Sequence, residues 1–128
     1  TERIVLFVSR VGQGYYRQQI IEKWKNECPV TGCNISRILI SSHIVPWSEC
    51  NDEERLDVEN GILLSPNVDS LFDKHLISFK DTGEMIFSSK LTIEDLERLG
   101  VSVQTVIPIS EGMKPYLEKH RTRLYKND

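Results

Sequence analysis

The chain has 128 residues, 39% of them hydrophobic, which suits one domain with a real core and excludes a disordered chain. No apolar run approaches the ~20 residues needed to span a bilayer, nothing at the start reads as a signal peptide, and a cytoplasmic location is expected. The net charge of −3 is unusual for a nucleic-acid binder, but residues 49–59 alone carry six acids (Glu49, Asp52, Glu53, Glu54, Asp57, Glu59) against Arg55, a net −5 that leaves +2 for the rest.

Residues 3–9, Arg-Ile-Val-Leu-Phe-Val-Ser, read as a strand or as the end of a linker, and residues 1–13 are set apart as a linker or N-terminal extension. Opening on Thr1 rather than Met points to a fragment or a processed chain. Gly12-Gln-Gly14 breaks the chain, and Tyr15 to Glu27 then reads as a helix. Tyr16, Ile20, Ile21 and Trp24 give its apolar face, while Arg17, Lys23 and Lys25 point elsewhere. It is either an ordinary packing helix or one whose neighbourhood, through Arg10 and Arg17, touches phosphate. Pro29 and Gly32 end it in a turn.

Cys28-Pro-Val-Thr-Gly-Cys33 invites a zinc reading, but structural zinc needs four ligands, usually supplied as two close pairs. Cys50 is the only other cysteine, so buried thiols are expected over a structural Zn²⁺, the alternative being a zinc site completed by Cys50 or a histidine. An odd number of cysteines also argues against a disulfide-stapled secreted fold.

Residues 37–41 form a strand that leads into His43, and Pro46 and Trp47 close it. The acidic run 49–59 reads as a solvated loop, after which Ile62-Leu63-Leu64 makes a second short apolar strand. Ser65 then suits an N-cap and Pro66 the first helical position, where its missing N–H is no loss. On the helix that follows, Val68, Leu71 and Phe72 share the core-facing side. Asp69 and Asp73 fall together on another side, one turn apart and close enough to share an ion. His75 lies nearer the apolar side or beyond the helix end and is the weaker ligand candidate. His43, Asn60 and the aspartates thus occupy three corners of one strand–loop–strand–helix unit. Alone, each has an ordinary explanation, a satisfied structural histidine or surface acids; their joint spacing singles them out.

Further on, Leu76 to Phe79, the turn Lys80-Asp-Thr-Gly83 and Glu84 to Phe87 read as a hairpin. Thr92 caps a helix over Ile93 to Leu99, with Glu94 and Asp95 at its N-terminus, and Gly100 stops it. Val101 to Ile109 is apolar and β-like. Met113 to Tyr125 forms a last helix carrying Lys114, Lys119, His120, Arg121, Arg123 and Lys126. That basic helix either lies against a phosphate backbone or is a solvated surface helix.

At these residues the chain resembles the HNH, or ββα-metal, nuclease family. The resemblance rests on Cys28, Thr31-Gly32, Ser42-His43-Ile44, Asn60 to Leu64 and Leu71-Phe72-Asp73, and covers about residues 14–80; the tail Tyr116-Leu-Glu-Lys-His-Arg121 is similar as well. It implies an α+β fold with a ββα core at about 37–76, flanked by helices and a β-hairpin, within a nuclease domain over 14–128. It implies His43 as general base, Asn60 as the brace of the loop carrying that base, and Asp69 and Asp73 as metal ligands. Ser42 and His75 are further ligand candidates. The slot before the base often holds a metal-binding Asp or His in the family; here it is Ser42. Oxygen ligands favour Mg²⁺ or Mn²⁺ over Zn²⁺. The implied substrate is DNA, with Arg10, Arg17, Lys74, Lys119, Arg121 and Arg123 as candidate contacts. A restriction or phage-defence role and an upstream DNA-recognition domain are further expectations, and a homodimer is compatible with them. Two rival readings are a degenerate, non-cleaving nucleic-acid-binding member of the family, favoured by Ser42, and a metal-stabilised interaction module resting on Cys28, Cys33 and Cys50.

Overall fold

The burial of Gly61-Ile-Leu-Leu64, a run with no polar side chain, sets the arrangement: every one of its residues is buried, so it must be covered on both faces. A computed structural model describes residues 2–128, with side chains from residue 10 onward. Among them, five α-helices and two small antiparallel sheets make an α+β fold. Helix α1 spans Glu2–Lys23, strand β1 Ile40–His43, helix α2 Asp52–Leu56, strand β2 Gly61–Leu64 and helix α3 Pro66–Asp73. Strands β3 (Ile77–Phe79) and β4 (Met85–Phe87), helix α4 (Ile93–Arg98) and helix α5 (Lys114–Asn127) follow.

Strand β1 pairs antiparallel with β2 in the register Ile40↔Leu64 to His43↔Gly61, and α3 packs beside β1. These elements are the ββα core, and β3 and β4 form the expected hairpin next to it. Helix α1 covers β2 with Tyr16 and Ile20, joined by Trp24 just past its end, all buried, and Val68, Leu71 and Phe72 turn inward from α3.

Several expectations are corrected. Residues 3–9 are not a strand but the first turns of the 22-residue helix α1. Gly12 and Gly14 do not interrupt it, because a helical glycine costs only about 1 kcal/mol against alanine. Gly12 also lies against Leu56 of α2, where a Cβ would come within 3.2 Å of Leu56 Cδ2. The helix stops at Lys23, not Glu27: Lys25 and Asn26 adopt left-handed backbone (φ 56° and 53°) ahead of Pro29. Strand β1 starts at Ile40 rather than residue 37, since residues 36–38 make a turn and β2 offers only four residues to pair with. Ser65 occupies the N-cap position of α3 without a side-chain cap; its hydroxyl donates to Asn67 Oδ1 instead, at 2.7 Å. Thr92 does cap α4, in a reciprocal pair with Asp95.

Val101 to Ile109 is not a strand. It pairs only at the bridge Glu84↔Val106, and Pro108 cannot donate to any continuation. Gly83 makes this contact possible. Its φ is +91°, and a Cβ there would sit 1.9 Å from the Ile107 carbonyl oxygen.

His120, expected among the charges of a basic helix, is buried in α5 instead. Its ring stacks on Phe72 at 3.9 Å, and Nε2–H donates to the Phe72 carbonyl at 2.8 Å. Nδ1 is then the acceptor for the Ser78 hydroxyl, also at 2.8 Å. Burial pushes its pKa from 6.5 down to about 3, helped by the neighbouring His75. The unfolded imidazole takes up a proton near 6.5 while the folded one resists it, so the stabilisation is full above that pH and is lost as pH falls towards 3. The urea midpoint should therefore drop between pH 7 and pH 4.5, and His120→Gln should flatten that drop. An equal drop in the variant would assign the acid sensitivity to other groups.

Candidate active site

The end of β1 delivers His43 opposite Gly61, and the absence of a side chain at Gly61 lets α1 approach. A Cβ on Gly61 would lie 2.0 Å from the Tyr16 hydroxyl and 2.6 Å from Ile20 Cδ1. Through that gap Tyr16 donates to the Asn60 carbonyl at 2.7 Å, and Trp24 Nε1–H donates to the Gly61 carbonyl at 3.2 Å. The Tyr16 ring stacks on the His43 imidazole at 4.2 Å, nearly parallel, and Trp47 meets the imidazole edge-on at 5.9 Å.

His43 Nε2 lies 2.9 Å from the main-chain carbonyl of Arg55. A carbonyl only accepts, so Nε2 carries the hydrogen and Nδ1 of the neutral ring keeps its lone pair. Burial lowers the pKa of His43 and the Arg55 charge adds to it, against an opposing push from the Arg55 carbonyl. The ring is therefore neutral at pH 7, as a base must be.

Asn60 is wholly buried and every atom of its amide is used. Oδ1 accepts from Val45 N–H at 2.9 Å, while Nδ2 donates to the Glu54 carbonyl at 3.1 Å and to Cys50 Sγ at 3.4 Å. Cys50 passes the chain on to the Val45 carbonyl at 3.4 Å. One side chain thus ties both ends of the excursion between β1 and β2. That excursion is no solvated loop. A 3₁₀ turn at Trp47–Glu49 is followed by α2, started by the reciprocal cap of Asn51 and Glu54. Arg55 donates to the Trp47 carbonyl at 3.0 Å and lies over the Trp47 ring at 4.5 Å.

On α3, Asp69 is half-buried and Asp73 exposed, one turn apart. Buried Ser42, on β1, lies beside Asp69 and favours its charged form. Burial raises the Asp69 pKa and Asp73 pushes it further up, with Ser42 opposing. A carboxylate held against burial and a like charge suits a bound cation, and an all-oxygen donor set suits Mg²⁺ or Mn²⁺. Among the described residues, no three His, Cys, Asp or Glu side chains converge as a metal cage, so protein atoms alone do not complete such a site.

His75 goes elsewhere. It leaves α3 in left-handed backbone (φ 57°) and stacks on His120 at 4.2 Å. Of the candidate phosphate contacts, Arg10, Lys74 and Lys119 are exposed, and Lys74 reaches Ser70 Oγ at 3.3 Å. The other three are engaged within the protein. Arg17 donates to the Ser36 carbonyl at 3.0 Å, Arg121 to the Phe79 carbonyl at 3.0 Å and to Asp81 at 2.9 Å, and Arg123 pairs with Glu49. The three cysteines are free thiols in two places. Cys50 sits under Asn60, whereas Cys28 faces Thr31 and the start of α3. Burial raises the Cys28 pKa, but hydrogen bonds from Thr31 and from the Ser65 and Val30 backbone outweigh it and leave the value lowered.

Tyr16, Trp47 and the main chain of Arg55 complete the surroundings of His43, and only the first two carried any advance signal. A buried Tyr needs a partner for its hydroxyl, and Trp47 follows the histidine closely. The family model described as HNH endonuclease matches residues 28–80, from the Cys28 turn through β3. No curated protein matches the chain.

Removing the Asn60 amide strands Val45 N–H and the Glu54 carbonyl inside the protein, each at a cost of about 1–3 kcal/mol. Asn60→Ala should lose several kcal/mol in urea unfolding, whereas Tyr16→Phe, which frees one carbonyl lone pair, should lose much less. Equal losses would mean that Asn60 does not hold the excursion.

Proposed function

We propose that the chain, which belongs to the HNH endonuclease family by its residues 28–80, is a divalent-metal-dependent DNA endonuclease with its catalytic domain over residues 14–128. The observation that carries this reading is His43: Nε2 is spent on the Arg55 carbonyl, Nδ1 is left with a lone pair, and the ring is biased to the neutral form. Nδ1 would take the proton of the attacking water. Asn60 fixes the excursion that carries Arg55, and Tyr16 fixes the plane of the imidazole, so both act by positioning.

Asp69 and Asp73 would hold the ion, with Ser42 favouring the charged form of the Asp69 carboxylate. The ion, when bound, supplies charge stabilisation to the phosphate and the leaving oxygen. Two carboxylates leave the rest of its coordination to water and substrate, which suits Mg²⁺ or Mn²⁺. Exposed Arg10, Lys74 and Lys119 would add sequence-independent contacts to the DNA backbone. A restriction or phage-defence role, reached through a DNA-recognition domain upstream, fits a cleavage module of this size.

One observation favours a second reading. Ser42 puts a neutral hydroxyl beside Asp69 in a slot where a third acid would complete a cage, which would suit a member that binds DNA without cutting. Nicking of supercoiled plasmid with Mg²⁺, Mn²⁺ or chelator separates the two, since a binding module leaves the plasmid intact in all three. For the nuclease, His43→Ala should slow nicking by about 10²–10⁴-fold with fold and DNA affinity retained. The wild-type rate should fall as pH drops through the lowered pKa of His43, because protonation removes the base. Asp69→Ala should lose both nicking and calorimetric Mn²⁺ binding in the presence of duplex. Mn²⁺ binding that survives Asp69→Ala would place the ion elsewhere.

A further inference from the structure

Between the segment that follows His43 and the inner face of α5 lies a cleft of about 270 Å³. Ile44, Val45 and Pro46 form its apolar wall, and the His75–His120 stack floors it. The floor is fixed on both sides. His120 is locked by Ser78 and Phe72, and His75 is held in a backbone conformation that a non-glycine residue rarely adopts. Lys119, Arg123 and Lys126 bring three cations to the rim, and the single acid present is Glu49.

Glu49 stands in that cleft as an anion would. Its carboxylate pairs with Arg123, and Lys119 and His75 also act on it, so that its pKa is lowered. It arrives from the 3₁₀ turn after Trp47, on the same excursion that Asn60 and Arg55 anchor against His43. The cleft adjoins the candidate active site on two sides. Its wall begins at the residue after His43, and its floor begins two residues after Asp73. A backbone that presents a phosphate at His43 presents others close by, since duplex DNA carries one charge per about 3.4 Å of axis on each strand.

We propose that this cleft is a subsite for a DNA backbone phosphate beside the scissile one, and that Glu49 occupies it as a latch that the phosphate displaces from Arg123. The proposal rests on the nuclease reading and adds a binding step to it: Arg123 changes partner from carboxylate to phosphodiester when substrate arrives. Both are planar-fork matches for a guanidinium, which makes the exchange chemically even. The ion pair is half-exposed, so the latch is weak enough for a polyanion to open.

The test uses fluorescence anisotropy on a labelled duplex with four full-length proteins: His43→Ala alone, and with Glu49→Gln, Arg123→Gln or both added, so that nothing is cut. Glu49→Gln should tighten binding several-fold and steepen the salt dependence by up to about one slope unit, as Arg123 no longer has an internal anion to leave. In the Arg123→Gln background the same change should have little effect, because the latch has lost its keeper. Equal effects of Glu49→Gln in both backgrounds would reduce Glu49 to bulk charge and overturn the latch. An unchanged affinity and slope in Arg123→Gln would overturn the subsite. No saturable duplex binding by the His43→Ala protein, even at low salt, would instead sink the nuclease reading itself. Thermal melting of each variant checks that these surface changes leave the fold intact.

Discussion

The amide of Asn60 is the constraint on which the site depends. Strands β1 and β2 have only four residues each, and seventeen residues intervene between His43 and Gly61. Closing so long a connection on so short a ladder is entropically unfavourable, and the ladder alone would leave the connection mobile. Asn60 counters this from the last position before β2 by bonding to the connection at Val45, Cys50 and Glu54. The carbonyl that orients His43 belongs to Arg55, the residue after Glu54. Order in the imidazole is therefore inherited from order in the amide, through one peptide unit.

A second constraint meets the first from the other side. Gly61 lacks a side chain, so Tyr16 can reach over β2, bond to the Asn60 carbonyl and lay its ring on His43. The hydroxyl is a buried donor whose ionisation is strongly disfavoured by that burial, so it remains a donor across the physiological range. The imidazole is thus clamped between an aromatic face and a main-chain acceptor, with one ring nitrogen left free. Low solvation around it favours the neutral form for the same reason that it favours the protonated tyrosine: both environments disfavour charge.

How much of this was legible depends on whether the signal was local. The α3 stripe of Val68, Leu71 and Phe72, the hairpin at β3 and β4 and the Thr92 cap are local patterns, and all three were readable from residue order. The start of α1 was not, because Ile4 to Val8 is an apolar run that suits a strand as well as a helix, and two glycines obscured the continuity. The β-like stretch 101–109 failed for a tertiary reason: no strand edge is available to it beyond the bridge at Glu84. His120 was misread because its neighbours on α5 are charged and its own burial depends on Phe72 and Ser78, over forty residues away. At the site, residue types and spacing singled out His43, Asn60, Asp69 and Asp73, but no pattern in sequence foretells that a backbone carbonyl at Arg55 would set a tautomer.

The acidic run shows why charge counted along the chain misleads. Its formal −5 suggests repulsion of a polyanion, yet most of its acids have partners. Glu54 caps α2, Glu59 pairs with Lys23 at 2.7 Å and with Ser110, Asp57 accepts from Tyr116 at 2.7 Å, and Glu49 meets Arg123. These contacts reach α1 on one side and the approach to α5 and α5 itself on the other, so the run serves as a strap around the ββα core. Three cations, Arg55 from within and Lys23 and Arg123 from outside, stand against its six acids, so part of its negative charge is matched locally and less of its field reaches a Debye length, about 8 Å at physiological salt. The charges that can act on a distant polyanion are the ones without such matches, Arg10, Lys74 and Lys119 among the exposed cations. A chain with a net charge of −3 can therefore still present exposed cations to a polyanion, because several of its acids are engaged within the protein, around the histidine's excursion.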